Sequence, residues 1–289
     1  MKYAQQLVRD LLWSVNSPSL LQSTSGHRCH SKTWVLFEQD IEVAHLVNFM
    51  GKKEIHSLGK YFERLISYWL HHLRQVEVLR ESFTIREQKR TVGEIDFIFI
   101  DEHYRMTHWE IAVKFYLFSL ETHDLGSHYL GPNAVDTLDR KVERLFEHQL
   151  PRSENFFPDV ELREVFVKGR IFYPTLPQVE LKNHVSLSYS HLSGLWLRHA
   201  QLGLLENDMD WGHQDVRYLV LTKPHWLAEI TASTTTDGLM SFCEFTDSMD
   251  QHFSGSQRCP LVVQLNLDGE RYVEARRLFV VPDRWPLMA

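Results

Sequence analysis

The stretch that decides the fold is residues 91–120, TVGEIDFIFIDEHYRMTHWEIAVKFYLFSL. It holds two apolar runs, at 94–100 and 109–117, which are joined by a polar connector at 101–107. Both runs are rich in β-branched and aromatic residues and are too short for ordinary helices, so we predict that both are strands. The connector has the length of a hairpin loop. The pattern therefore predicts two neighbouring strands that pair with each other.

Charged side chains interrupt both apolar runs. Because side chains alternate between the two faces of a strand, Glu94 and Asp96 share one face, and Glu110 and Lys114 share another. Buried charges are costly unless they pair with one another or hold a metal ion. If the two strands pair, carboxylates from both meet at one point with a lysine nearby.

The order Asp96, Glu110, Lys114 resembles the signature of the PD-(D/E)XK nuclease superfamily. The surrounding segments are similar to sequences of the bacterial DUF1853 family; they are GEIDFIF, HWEIAVKFYL and LGPNAVDTLDRKVERLFEHQL. That family is assigned to the same superfamily and has no known function. The family resemblance covers most of the chain, whereas the superfamily signature is short and falls in its first half. The usual signature has its lysine two residues after the acid, where this chain has Ala112.

The resemblance implies a metal site for Mg²⁺ or Mn²⁺. Asp96 and Glu110 are the implied ligands, with Glu63 as a third or outer ligand and the carbonyl of Ile111 as a backbone ligand. Hard divalent ions of this kind prefer oxygen atoms, which all of these groups supply. The implied catalytic residues are Asp96, Glu110 and Lys114.

The position of the catalytic lysine has two alternatives. Lys114 lies on the face of Glu110, but roughly 13 Å along an extended strand at ~3.3 Å per residue. A bulge, or the long lysine stem, shortens that gap. Lys141, on the predicted helix 136–150, is the rival, since the helix after the acidic strands often presents a polar residue to the site in such nucleases. The alternative role for Lys141 is that of a solvated surface residue.

Two acidic residues have a second interpretation as well. Glu63 lies early on a predicted helix that precedes the strands, which is where the superfamily often places a further glutamate. It could instead pair with Lys60 or Arg64 at the surface. Glu94 is predicted either to bind a second ion or to form an ion pair with Arg90.

Composition limits the classes of function. The chain has 289 residues, of which 43% are hydrophobic and 24% charged, as in ordinary globular proteins. Its net charge of -7 argues against a protein that coats nucleic acid through bulk charge. Residues 52–90 nevertheless hold nine Lys and Arg against five Asp and Glu, which predicts either a local basic groove or a solvated helix face. Within this segment, Lys89 and Arg90 are the predicted contacts to nucleic acid.

The cysteines and the apolar runs predict a cytoplasmic protein with no membrane partner. The three cysteines are far apart and form no CxxC pair, which favours a reducing compartment. The first residues lack the apolar core of a signal peptide, and no run approaches the ~20 apolar residues of a membrane span.

We predict an α/β fold with a restriction-endonuclease-like core in residues 1–150. Its mixed central sheet is built from residues 76–120 and flanked by helices at 57–75 and 136–150. Residues 151–289 are predicted to form a β-rich region of unknown role that packs on this core. Strands in this second region are predicted at 164–173, 194–199, 217–222 and 261–267, with a hairpin turn at Asp268 and Gly269.

The predicted function is hydrolysis of phosphodiester bonds in DNA or RNA by a metal-dependent nuclease. The alternative is a non-catalytic protein of the same fold that binds nucleic acid or a protein partner, with Glu110 and Lys114 as an ordinary ion pair. The chain has no GxSxG, HExxH, P-loop or GxGxxG sequence, so other common hydrolase and nucleotide-binding classes lack support. Geometry separates the two alternatives, because only the enzyme needs a lysine ammonium close to the carboxylates of Asp96 and Glu110.

Overall fold

The computed structural model describes residues 2–30, 34–51, 55–87, 90–120, 126–175, 184–206 and 208–287. Within these ranges ten strands form one mixed sheet. The strands are β1 (Glu77–Glu87), β2 (Arg90–Ile100), β3 (Met106–Phe118), β4 (Tyr129–Leu130), β5 (Leu162–Pro174), β6 (Leu192–Arg198), β7 (Val216–Leu221), β8 (Thr231–Ser233), β9 (Leu261–Asp268) and β10 (Arg271–Val281). Their order across the sheet is β1-β2-β3-β5-β6-β10-β9-β7, while β4 pairs with β3 and β8 pairs with β10.

The helices are α1 (Lys2–Asn16), α2 (Val43–Met50), α3 (Leu58–His72), α4 (Leu138–Glu143), α5 (Arg152–Phe156), α6 (Met209–Gly212) and α7 (Phe242–Gly255). A π-helical turn, Arg144–Gln149, follows α4 directly, and short 3₁₀ turns lie at Glu38–Asp40 and His199–Leu205. Among the described residues, none of these helices combines the length and the apolar character that a membrane crossing requires.

Strand β3 lies in the interior of the sheet. It pairs antiparallel with β2 and parallel with β5. Its side chains Val113, Phe115 and Leu117 are buried, as their apolar character predicts for a central strand. The turn between β2 and β3 is closed by the carboxylate of Asp101, which accepts the backbone N–H of His103 at 2.8 Å. The predicted hairpin is therefore confirmed.

Helices cover both faces of the sheet around β3. On one face, Phe62 and Trp69 of α3 belong to the same buried cluster as Trp109 and Phe166, whose rings stack with centroids 4.9 Å apart. On the other face, α4 and the π-helical turn bury apolar side chains such as Leu145 against β3 and β5. Full burial of each such side chain stabilises the fold by roughly 1.5–3 kcal/mol. These contacts confirm a mixed central sheet flanked by helices.

The helix predicted at 57–75 is shorter in the structure, where it is α3. It ends at His72, because Leu73 leaves the helical conformation with φ −121°. The chain then enters β1 at Glu77 and pairs with β2 along nearly its whole length. Residues 73–75, which the prediction included in the helix, form the turn before β1, and β1 begins close to the predicted start of the sheet at residue 76.

The sheet continues from the first half of the chain into the second. Strand β5 pairs with β3 from Thr107–Leu162 to Leu117–Phe172, and β6 and β10 extend the parallel part. The four strands predicted in the second half are present, and the hairpin turn between β9 and β10 lies at Gly269 and Glu270, one residue later than predicted. One sheet thus contains strands from both sides of residue 150. The division of the chain into two domains at that residue stays a prediction.

Candidate functional site

Three carboxylates meet where α3 faces β2. Glu63 comes from α3, and Glu94 and Asp96 come from one face of β2. One oxygen atom of each carboxylate lies within 4.8 Å of the corresponding atoms of the other two. A set of carboxylate oxygens is the kind of site that Mg²⁺ and Mn²⁺ prefer. Of the predicted ligands, the structure brings Glu63 and Asp96 together and adds Glu94.

Asp96 is held at the point where the regular pairing of β2 with β3 ends. The ladder runs from Ile100–Met106 to Phe97–Trp109. One residue further, Oδ2 of Asp96 accepts the backbone N–H of Ile111 at 2.8 Å, so a side chain takes the place of a strand carbonyl. Burial, and after it the negative charge of Glu110, raises the pKa of Asp96 to about 7. The two acids are thus close enough to repel each other when no ion is bound.

Glu110 is not a member of the three-carboxylate cluster, and its predicted role as a metal ligand stays a prediction. Its side chain is 0% exposed. Oε1 lies 3.0 Å from Nε2 of His108, and Oε2 accepts a hydrogen bond from the amide of Gln149. Burial raises its pKa to about 7, against the opposing effects of a backbone hydrogen bond at Asp96, of the charges of Lys141 and Arg152, and of the hydrogen bond from Gln149. Strand alternation puts His108 on the face of Glu110, a signal that the sequence already contained.

Lys114 is paired with a different acid from those predicted. Its Nζ atom lies 2.5 Å from Oδ2 of Asp136, and the hydroxyl of Tyr116 donates to the same oxygen at 3.3 Å. Asp136 precedes α4, and packing of α4 on the sheet brings it over this part of β3. The ion pair of Glu110 with Lys114, which the non-catalytic alternative predicted, is therefore not formed, because four residues of extended strand carry the lysine away from Glu110.

Lys141 interacts electrostatically with Glu110 and Asp96. Its Nζ atom donates to Oε1 of Gln149 at 3.2 Å, and the amide of Gln149 in turn donates to Glu110. Burial first, and the charge of Lys114 second, lowers the pKa of Lys141 to about 8, while Glu110 and Asp96 act in the opposite direction. The structure thus places the rival lysine, on the helix, within the electrostatic reach of both acids.

The π-helical turn explains how Gln149 reaches Glu110. Its backbone bond from Leu150 N to Leu145 O spans five residues and measures 2.9 Å. Such a turn is wider than an α-helical one and changes the direction of the side chains that follow, and π-turns are frequent at functional sites. The apolar periodicity of residues 136–150 predicted a helix but not this wider turn, so Gln149 was not identified from the sequence.

The predicted surface pairing of Glu63 with Lys60 is present, while its role as a metal ligand stays a prediction. Lys60 Nζ lies 2.8 Å from Oε2 of Glu63 and 3.7 Å from Oε1 of Glu94, and Ser82 donates to Glu63 at 2.8 Å. Burial works against protonation of Lys60, but its hydrogen bond to Glu63 and the surrounding carboxylates raise its pKa. Lys60 therefore neutralises part of the negative charge that gathers at the cluster.

Arg152 is a cation that lies against β2 and whose side chain the structure describes. Lys89 lies outside the described residues, and only the backbone of Arg90 is described, within β2. The guanidinium of Arg152 instead lies against the backbone of Gly93, so close that a β-carbon there would stand 2.7 Å from Cζ. Its positive charge also acts on Glu110. Glycine at position 93 is thus what allows this cation to approach the site.

One comparison with known proteins produced a match. A family model described as a domain of unknown function, DUF1853, matches residues 9–281. Neither a curated protein nor a solved structure matches the chain. The matched range includes the whole candidate site and the whole described sheet.

Proposed function

The chain belongs to the DUF1853 family, and we propose that it is a metal-dependent nuclease with a core of the PD-(D/E)XK type. The observation that carries the proposal is the cluster of Glu63, Glu94 and Asp96 beside Glu110 and Lys141. The proposed ion is Mg²⁺ or Mn²⁺, and the proposed substrate is a phosphodiester of DNA or RNA. The order helix, acidic strands, helix supports the core assignment, since α3 and α4 supply the residues that the superfamily often takes from those elements.

Glu63, Glu94 and Asp96 are the residues that would hold the ion. A divalent ion bound there supplies a water of lowered pKa and positive charge close to the phosphate. The hydrogen bond from the Ile111 amide fixes one oxygen of Asp96 and leaves the other free to act as a ligand. Glu110, anchored by its own hydrogen bonds, adds negative charge behind this ligand and draws cations to the site.

Lys141 is the residue we assign to the scissile phosphate. With a pKa of about 8 its ammonium keeps its proton at neutral pH and can hydrogen-bond to a water or to a phosphate oxygen. A fixed positive charge in a partly desolvated site stabilises the charge that develops during phosphodiester cleavage. Because Lys114 is paired with Asp136, this proposal places the role on the helix and not on the strand.

A second candidate function is nucleic-acid or protein binding without catalysis. It is favoured by one specific feature, that both oxygens of Glu110 are engaged by His108 and Gln149 inside the protein. In that case the acids and Lys141 form a structural network. Strong metal binding without any cleavage would favour this second function.

The proposal is tested with a panel of substrates. Purified protein is incubated with linear and circular duplex DNA, single-stranded DNA and RNA, each with Mg²⁺, with Mn²⁺ or with a chelator. We expect cleavage of at least one substrate, dependent on the ion and lost in an Asp96→Asn variant prepared in parallel. Cleavage that survives in the variant would come from a contaminant, and no cleavage of any substrate would leave the binding function as the better one.

We expect the affinity for Mn²⁺ to depend on pH. Because the pKa of Asp96 is raised to about 7, protons compete with the ion below that pH. The association constant should rise by about tenfold per pH unit through the acidic range and level off above neutrality. Isothermal titration calorimetry in non-chelating buffers measures this directly. An affinity that does not change between pH 5.5 and pH 8 would show that Asp96 is not a ligand.

We expect a Gly93→Ala substitution to reduce cleavage without unfolding the protein. The new methyl group would overlap the guanidinium of Arg152, whose atoms lie 2.7–2.8 Å from that point, so the flexible side chain must move away. The free energy of unfolding should change by less than about 1 kcal/mol. Cleavage should fall as far as in Arg152→Met, roughly tenfold if the cation contacts a phosphate. Full activity in both variants would exclude Arg152 from substrate binding.

A further inference from the structure

A cavity of about 800 Å³, remote in sequence from the acidic strands, is lined by residues of α1, β7 and β8. Its volume falls within the range of ligand pockets, which is roughly 300–1,000 Å³. Much of its wall is apolar, since Val8, Leu221, Ile230 and Ala232 line it and belong to the buried core. An apolar cavity of this size that also holds a few polar groups is the usual form of a small-molecule site.

The imidazole of His225 stands between this cavity and the core. His225 lines the cavity, and its side chain is 34% exposed. Its Nδ1 atom is buried and lies 3.6 Å from Oδ2 of Asp10, whose side chain is 0% exposed. Its Nε2 atom is accessible and makes no hydrogen bond with the described residues. One ring nitrogen is thus turned toward a buried carboxylate, and the other is left open to a ligand.

Hydrogen bonds fix the carboxylate of Asp10 in its place. Oδ1 accepts the side-chain amide of Gln6 at 3.0 Å and the backbone N–H of Ala228 at 3.1 Å, and Oδ2 accepts the hydroxyl of Tyr61 at 2.7 Å. All three partners donate, which matches the acceptor-only oxygens of an ionised carboxylate. A negative charge that faces Nδ1 of His225 favours the tautomer with hydrogen on Nδ1. Nε2 then carries a lone pair and accepts hydrogen bonds.

The charged side chains around the cavity balance one another. Arg9 and Arg271 line the cavity together with Glu38, and the carboxylate of Asp10 stands behind the ring of His225. Two cations and two anions in this part of the described chain leave no excess charge to compensate an ionic ligand. An acceptor nitrogen beside apolar walls favours instead an uncharged ligand that carries a hydrogen-bond donor.

We propose that this cavity binds an uncharged apolar molecule with a hydroxyl group, which donates a hydrogen bond to Nε2 of His225. The apolar body of the ligand covers Leu221, Ile230 and their neighbours in the wall. Asp10 is a positioning residue, because it sets the tautomer of the ring and does not touch the ligand. The site shares no residue with the three-carboxylate cluster, so it stands independently of the proposed nuclease activity.

The experiment compares three probes by NMR of the ¹⁵N-labelled histidines at pH 8. 1-Octanol donates a hydrogen bond, its isomer heptyl methyl ether only accepts one, and octanoate carries a negative charge. Before a probe is added, the ¹⁵N shifts of His225 should show hydrogen on Nδ1 and a lone pair on Nε2. We expect 1-octanol to shift the Nε2 signal saturably, and the ether and octanoate to bind about tenfold more weakly or worse.

Two histidine variants locate the site. His225→Phe keeps a ring in the wall but has no nitrogen, so its affinity for 1-octanol should fall by about tenfold, to that for the ether. His213→Phe is the matched control. Nδ1 of His213 also lies 3.6 Å from an acid, Asp215, but His213 does not line this cavity. The affinity of this control for 1-octanol should equal that of the wild type.

Other outcomes overturn the proposal. Tighter binding of octanoate than of 1-octanol would mean that the cavity takes anions through its arginines. Equal affinities for 1-octanol and the ether would mean that His225 accepts no hydrogen bond from the ligand. The lack of a saturable shift with every probe would mean that the cavity binds no such molecule, and an equal loss in His213→Phe would place the binding elsewhere. Because the comparison of probes uses the wild-type protein, the proposal stays testable even if His225→Phe does not fold.

Discussion

An Asp96→Asn substitution will abolish divalent-ion binding and reduce cleavage by a factor of about 10²–10³ or more. Asparagine can still accept the N–H of Ile111 through its amide oxygen, so the backbone around it should not move. It offers a neutral ligand in place of a charged one, and a cluster of three carboxylates loses its central member. Calorimetry with Mn²⁺ and single-turnover cleavage measure the two effects, and an exposed Asp159→Asn variant is the control.

The same substitution should make the ion-free protein more stable at pH 8. The pKa of Asp96 is raised from 3.8 to about 7, so between these values the folded state holds a proton that the unfolded chain has released. Stability of the wild type therefore falls as pH rises through this window, and stays low above it. Asparagine does not ionise, so the variant avoids the free-energy cost of a buried charge. The melting temperature of the variant should therefore exceed that of the wild type at pH 8, by ~2–4 °C for each kcal/mol of added stability.

Near pH 3 the two proteins should melt at similar temperatures, because Asp96 is then protonated in the folded state and mostly protonated in the unfolded chain. Destabilisation by Asp96→Asn at pH 8 would show that Asp96 is stabilised as an anion by the protein, contrary to its raised pKa. A gain in stability together with a loss of activity is the pattern expected of a residue retained for function.

The second large effect concerns the two lysines. A Lys141→Met substitution should reduce cleavage by about 10²-fold or more, because it removes the cation beside Asp96 and Glu110. A Lys114→Met substitution should leave the rate within a few-fold of the wild type, since it breaks only a partly exposed ion pair with Asp136. Methionine keeps most of the lysine stem, so packing changes little in either variant. Single-turnover rates at saturating Mg²⁺ separate the chemical step from substrate binding.

Each of the two variants is the control for the other, because each removes one lysine and leaves the other in place. An inactive Lys114→Met variant together with an active Lys141→Met variant would assign the role of the catalytic lysine to Lys114 on β3, as the superfamily signature suggested. Equal losses in both would indicate that the two cations contribute to a common field, since their charges already act on each other. Unchanged metal binding in both is required, because neither lysine is a ligand in the proposed site.

Local sequence patterns determined much of the fold around the site. The alternation of apolar and charged residues predicted β2 and β3, and it placed Glu94 with Asp96 and Glu110 with Lys114 on shared faces. The helical spacing of apolar residues predicted α3, with Glu63 near its beginning. These properties follow from the periods of 2.0 and 3.6 residues, which depend on neighbours along the chain and on nothing further away.

The identity of the partners was decided only by the tertiary structure. Glu94 and not Glu110 completes the carboxylate cluster, Asp136 holds Lys114, and the wider π-turn brings Gln149 onto Glu110. Each of these contacts joins separate elements, so it depends on strand register and on how a helix packs.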